Sequence, residues 1–93
     1  MSDIERVIPH SLGFDLAKEK VEILLKQLGK LYDLKYFWLS NESVMFRGKG
    51  GSGWGKVFED KVFLQINLSW WAKVFKGKIN DKIDEWLKEQ DLL

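Results

Sequence analysis

The chain contains no cysteine, one proline and one histidine, and each scarcity removes a class of explanation. Without cysteine there are no disulfides and no thiolate metal ligands, so an apolar core must carry the fold; a reducing, cytoplasmic setting is expected. A single histidine is poor material for a zinc centre, and neither a metal nor a cofactor is expected. No apolar run approaches the ~20 residues of a membrane-spanning helix. The opening Met1-Ser2-Asp3-Ile4-Glu5-Arg6 has no apolar segment of the kind a secretory signal carries. Charge of one sign is missing too: 15 basic and 14 acidic residues interleave to a net charge of +1. Nucleic-acid binding by counterion release needs a concentrated basic face, and with no long basic run nucleic acid is not an expected partner.

What is present suits one small domain. The chain has 93 residues, of which 45% are hydrophobic and 31% charged, enough for one core and too apolar for disorder. Ile4, Val7 and Ile8 predict a first strand up to Pro9, at a sheet edge because proline donates no ladder hydrogen bond. The period then changes. Phe14, Ala17, Val21, Leu24, Leu25, Leu28, Leu31 and Tyr32 recur at helical spacing and predict a helix over 14–32, capped by Ser11 or Gly13. Alternation follows. Tyr36, Trp38 and Ser40 face one way and Lys35, Phe37 and Leu39 the other, with a turn at Asn41-Glu42 in which Asn41 takes a positive φ. Val44-Met45-Phe46 begins the return strand, 54–59 forms another, and Val62, Leu64, Ile66 and Leu68 form one face of the last, opposite Phe63, Gln65 and Asn67. Ser69 is placed to cap a second helix over about 70–90, with Ala72, Phe75, Ile79, Ile83 and Trp86 as its stripe. Gly77 within it predicts close packing against another element. The fold class is α+β: a curled antiparallel sheet of four to five strands with two amphipathic helices, in the order β-α-β-β-β-β-α.

Several motifs tempt a catalytic reading and fail it. Gly48-x-Gly50-x-x-Gly53 and Gly50-x-x-x-x-Gly55-Lys56 match two phosphate-binding patterns on paper. Both patterns must open a helix, whereas here the glycines lead into a strand, and Val57 stands where Ser or Thr would meet Mg²⁺. A flexible glycine-rich hairpin loop is the plainer reading, and weak anion binding by Arg47, Lys49, Lys56 and free N–H groups is the alternative. His10 has Ser11 beside it, but adjacency makes no triad, and a hydrogen bond near the start of the helix is expected. Asp81, Asp84 and Glu85 lie among lysines on a solvated helix face, and Glu59-Asp60 in a turn. General acid–base work needs a carboxyl group in a pocket with a shifted pKa. The chain is therefore not expected to be an enzyme; His10 in a deep pocket beside an acid would revise that.

The aromatic content stands out: five Trp, six Phe and two Tyr. Two helices on one sheet face leave the other face uncovered, so Phe37, Leu39, Met45 and Phe63 are candidates for a second apolar surface, joined by Trp70 and Trp71. Burial within a strongly curled sheet, or a homodimer interface, would absorb the same residues. A binding surface for an apolar ligand or partner protein is the sharper alternative.

Three stretches carry a family resemblance. They are Pro9-His10-Ser11-Leu12-Gly13 before the first helix, the glycine-containing strand region through Gly55 and Val57, and a C-terminal run. That run comprises Leu68-Ser69-Trp70, Phe75-Lys76-Gly77-Lys78-Ile79 and Ile83-Asp84. Over about residues 4–88 the chain resembles the polyhydroxyalkanoic acid system proteins, also described as polyhydroxyalkanoate granule-region proteins. His10, Ser11, Leu12, Gly77 and Ile79 are the motif positions. The resemblance implies a cytoplasmic bacterial protein associated with storage-polyester granules, with the granule surface or granule proteins as partners and no catalytic residues to carry over. The expected function is a non-enzymatic accessory protein acting through an apolar aromatic surface. A small carrier of a lipid-like ligand, with a cavity between sheet and helices, is the alternative.

Overall fold

The computed structural model describes residues 2–90. Strand β1 (Ile4–Pro9) is followed by helix α1 (Phe14–Tyr32), strands β2 (Leu34–Trp38), β3 (Ser43–Gly48), β4 (Gly51–Val57) and β5 (Lys61–Leu68), a 3₁₀ segment (Trp70–Phe75) and helix α2 (Lys76–Glu89). The strands form one five-stranded antiparallel sheet in the order β1-β5-β4-β3-β2. The predicted order of elements and the α+β class hold. The sheet is open, with β1 and β2 as its edges, so Pro9 does lie on an edge strand.

Alternation decides the two faces. Ile4, Ile8, Val44, Phe46, Val57, Val62, Leu64 and Ile66 point to one side and join a single core with Ala17, Val21, Leu24, Leu25 and Leu28 of α1 and Ile79, Ile83, Trp86 and Leu87 of α2. Both helices thus cover the same face. Polar clips set their positions: Trp38 Nε1 donates to Glu22 at 2.7 Å, Trp86 Nε1 donates to the Lys20 carbonyl at 2.8 Å, and Arg6 pairs with Asp84 at 2.9 Å. The indole N–H groups of fully buried Trp86 and half-buried Trp38 need an acceptor, and the first two clips supply one across two elements.

Five local expectations are corrected. Helix α1 has the predicted bounds and ends at Asp33 in the left-handed region (φ 55°), but Leu31 in its last turn is 58% exposed, beside an open cleft rather than in the core. Gly13 is the N-cap residue. Asn41 has no positive φ; instead the Ser40 hydroxyl accepts from the Glu42 and Ser43 N–H groups and shapes the turn. The glycine-rich loop shrinks to the two residues Lys49-Gly50, since Gly51, Ser52 and Gly53 are in β4. Gly53 is needed there: a Cβ would overlap the Gln65 carbonyl oxygen and lie 2.7 Å from the Phe46 ring. The second helix is divided, with a 3₁₀ turn over its first six residues, and the Ser69 hydroxyl bonds the Lys49 carbonyl rather than the helix. Finally, Gly77 is exposed and a Cβ there would meet nothing within 4 Å, so it serves no close packing.

Candidate binding surfaces

The sheet register builds the uncovered face row by row. One row crosses all five strands: Phe37 pairs with Met45, Met45 with Trp54, Trp54 with Gln65, and Gln65 with Glu5. The next joins Ser43, Lys56, Phe63 and Val7. The Trp54 and Phe63 rings lie 5.0 Å apart, and the Trp54 indole donates to Gln65. Val7, Trp54, Lys56, Phe58, Lys61 and Phe63 line a shallow depression on this face. The Lys56 and Lys61 ammonium groups lie 5.2 and 5.1 Å from the Phe58 ring centre, an arrangement that keeps the charge at the margin of the aromatics.

The six residues expected to form one apolar surface divide into two groups. Phe37, Met45 and Phe63 share the outer face, and Leu39 lies exposed in the turn just beyond β2. Trp70 and Trp71 belong to the 3₁₀ segment instead, where Trp70 is 85% exposed and Trp71 lines a cleft on the helix side of the sheet. The outer face also includes Val7 and Trp54, which the sequence reading left out. Trp54 sits between Gly53 and Gly55, and those glycines gave no hydrophobic alternation to mark its direction.

That cleft has a volume of about 470 Å³, within the range of small-molecule sites. It opens between the end of α1, the β3–β4 hairpin and the 3₁₀ segment. Phe46 and Ile66 of the sheet, Leu28 and Leu31 of α1, and Trp71 and Phe75 give it apolar walls. The 3₁₀ geometry contributes, because residues three apart eclipse and bring Ala72 and Phe75 to the same side. Asp3 fixes the approach to this segment. Its carboxylate accepts from the Leu68 N–H at 2.7 Å and lies 3.6 Å from the Lys73 ammonium. That backbone hydrogen bond, aided by Lys73, holds the Asp3 carboxyl below its ordinary pKa.

The motif residues are mostly architectural. The His10 Nδ1 accepts from the Leu12 N–H at 3.2 Å, so Nε2 carries the proton it donates to the Phe58 carbonyl at 3.1 Å. The histidine thereby ties the chain before α1 to the β4–β5 turn, as does its own N–H on the Asp60 carbonyl. Ser11 is exposed, Leu12 half-buried, and Ile79 buried at the cleft. Among the described residues no three His, Asp or Glu side chains cluster to hold a metal, and no helix is long and apolar enough to cross a membrane.

The family model described as "putative polyhydroxyalkanoic acid system protein" matches residues 3–90. The chain belongs to the polyhydroxyalkanoic acid system family. The match spans β1 through the end of α2, so both surfaces of this polyhydroxyalkanoic acid system protein lie within the family's common region. No curated protein and no solved structure matches the chain.

Proposed function

We propose that this family member is a non-enzymatic, cytoplasmic accessory protein that attaches to polyhydroxyalkanoate granules, or to proteins on them, through the outer face of its sheet. The observation that carries this reading is the band of Phe37, Met45, Trp54, Phe63 and Val7, which crosses the strands with no helix over it. A contiguous apolar patch of this kind marks an interaction surface more often than chance exposure. Charge argues against a face-to-face homodimer as its occupant. Lys35, Arg47, Lys56 and Lys61 share the face with Glu5, and with Asp33 at its edge, and a second copy would set an excess of like charges together.

Co-sedimentation with isolated granules tests the reading. The wild-type chain is expected in the pellet. Trp54→Ala/Phe63→Ala lowers binding at least about threefold, a modest share of the energy of two apolar side chains. Wild-type protein that stays in the supernatant, or a double variant that binds equally well, contradicts it. The Trp70→Ala/Trp71→Ala variant reports separately on the 3₁₀ segment.

The cleft favours a second reading, a carrier of a small lipid-like ligand. Native mass spectrometry of the purified chain is then expected to show a retained apolar molecule, and a bare mass under ligand-loading conditions counts against it.

A further inference from the structure

We propose that the cleft and a basic depression beside it form one site for an anionic amphiphile: an apolar chain ending in a carboxylate or phosphate. This rests on the carrier reading and adds to it the chemistry of the ligand's polar end.

The two concavities adjoin at the end of the sheet, the cleft on its helix side and the depression, with Lys35 and Arg47, on its outer side, and Asp33 and Lys49 line both. The depression is otherwise formed by Lys35, Arg47 and Gly48, and Lys30 stands at the wall of the cleft. Three cations therefore face one carboxylate in the depression, with a fourth cation close by. Among the described residues none of Lys30, Lys35, Arg47 and Lys49 takes part in an ion pair. Lys35 and Arg47 are directly opposed cross-strand partners, an arrangement of like charges that is unfavourable in itself. An anion between them removes that penalty. Gly48 lets the Asp33-Leu34 backbone pass close at the edge of the depression, because a Cβ there would come within 2.5 Å of the Asp33 carbonyl oxygen and 2.9 Å of the Leu34 side chain.

The polarity of the ligand follows from the layout. The cleft offers the chain Phe46, Ile66, Leu28 and Phe75, with exposed Leu31 and Trp71 along its sides. The head then lies where positive potential and unpaired donors converge at the β3–β4 hairpin. A cationic head meets repulsion there, and a neutral one gains nothing from the lysines and Arg47.

Isothermal titration calorimetry on the full chain tests this with decanoate, decyl phosphate, decanol, decyltrimethylammonium and inorganic phosphate, each below its aggregation limit. Decanoate and decyl phosphate are expected to bind one per chain, at least about tenfold tighter than decanol, with decyltrimethylammonium weakest. Inorganic phosphate should bind at least about tenfold more weakly than decyl phosphate. Arg47→Gln/Lys49→Gln, at exposed positions, should erase the preference for anions over decanol; Trp71→Ala should weaken every chain-bearing probe. Lys35→Gln is a second charge variant should the double one lose its fold by circular dichroism. Equal affinity for all decyl probes overturns the anionic head while leaving the carrier reading intact. No binding of any decyl probe overturns both. Phosphate binding as tightly as decyl phosphate also overturns the proposal, because the cleft then contributes nothing.

Discussion

The two ring nitrogens of His10 have opposite duties, one accepting from Leu12 and one donating to Phe58. Replacing the ring by a methyl group leaves both backbone partners unmet in a half-buried place, so His10→Ala should lower stability by about 1–3 kcal/mol in urea titrations. An unchanged midpoint would show that water satisfies both partners equally well. Asp3 works through charge. Its folded pKa lies below the ordinary carboxylate value, so the stability it contributes is fully present above that value. The contribution disappears as pH falls through the depressed folded value. Asp3→Asn retains an oxygen acceptor for the Leu68 N–H but removes the titration. The variant should therefore show a flatter loss of stability between pH 5 and 2 than wild type, a window of about this width being set by the ordinary carboxylate range. Parallel acid limbs for the two proteins would assign acid sensitivity to other carboxylates.

At the scale of elements, two glycines make contrasting predictions. Gly53 lies in β4 against the Gln65 carbonyl and the Phe46 ring, and Gly53→Ala should cost about 1–3 kcal/mol by overpacking. Gly77 lies in α2 with open space around its Cα, so Gly77→Ala should raise stability by about 0.5–1 kcal/mol. Thermal melts of both variants check the signs, and a destabilising Gly77→Ala would imply a packing role that the fold does not show. The same two residues mark how much of the fold was legible beforehand. Helix α1 and the strands follow from periods of 3.6 and 2, which side-chain burial imposes on the sequence itself. The expected role of Gly77 failed because a glycine in a helix has two explanations, close packing and simple tolerance, and only the neighbours decide. The division of the second helix was hidden for a related reason: Trp70, Trp71, Val74 and Phe75 keep a helical apolar pattern even where the backbone tightens to 3₁₀. The uncovered sheet face was legible through Phe37, Met45 and Phe63, since alternation assigns a face without knowledge of strand order. The cleft was not. Its walls come from residues between Leu28 and Ile79 that meet only through the pairing of β4 with β3 and β5 and the return of the 3₁₀ segment.

The molecule as a whole separates its two apolar faces by chemistry. The helix-covered face is filled by one core except at the hairpin end, where the cleft remains. The opposite face is uncovered and its strands carry Lys35, Arg47, Lys56 and Lys61 against Glu5, with Asp33 at the edge, although the chain as a whole is only +1. Attachment through that face should therefore combine apolar contact with a moderate dependence on salt when the target is anionic, and little dependence when it is a bare polyester. The cysteine-free chain makes the direct measurement simple. A polarity-sensitive fluorophore placed on a single introduced cysteine, at Lys56→Cys on the outer face or Glu85→Cys on α2, reports which side meets isolated polyhydroxyalkanoate granules. A blue shift at position 56 with none at position 85 is the predicted result; a shift confined to position 85, or no shift at either, contradicts attachment through the sheet.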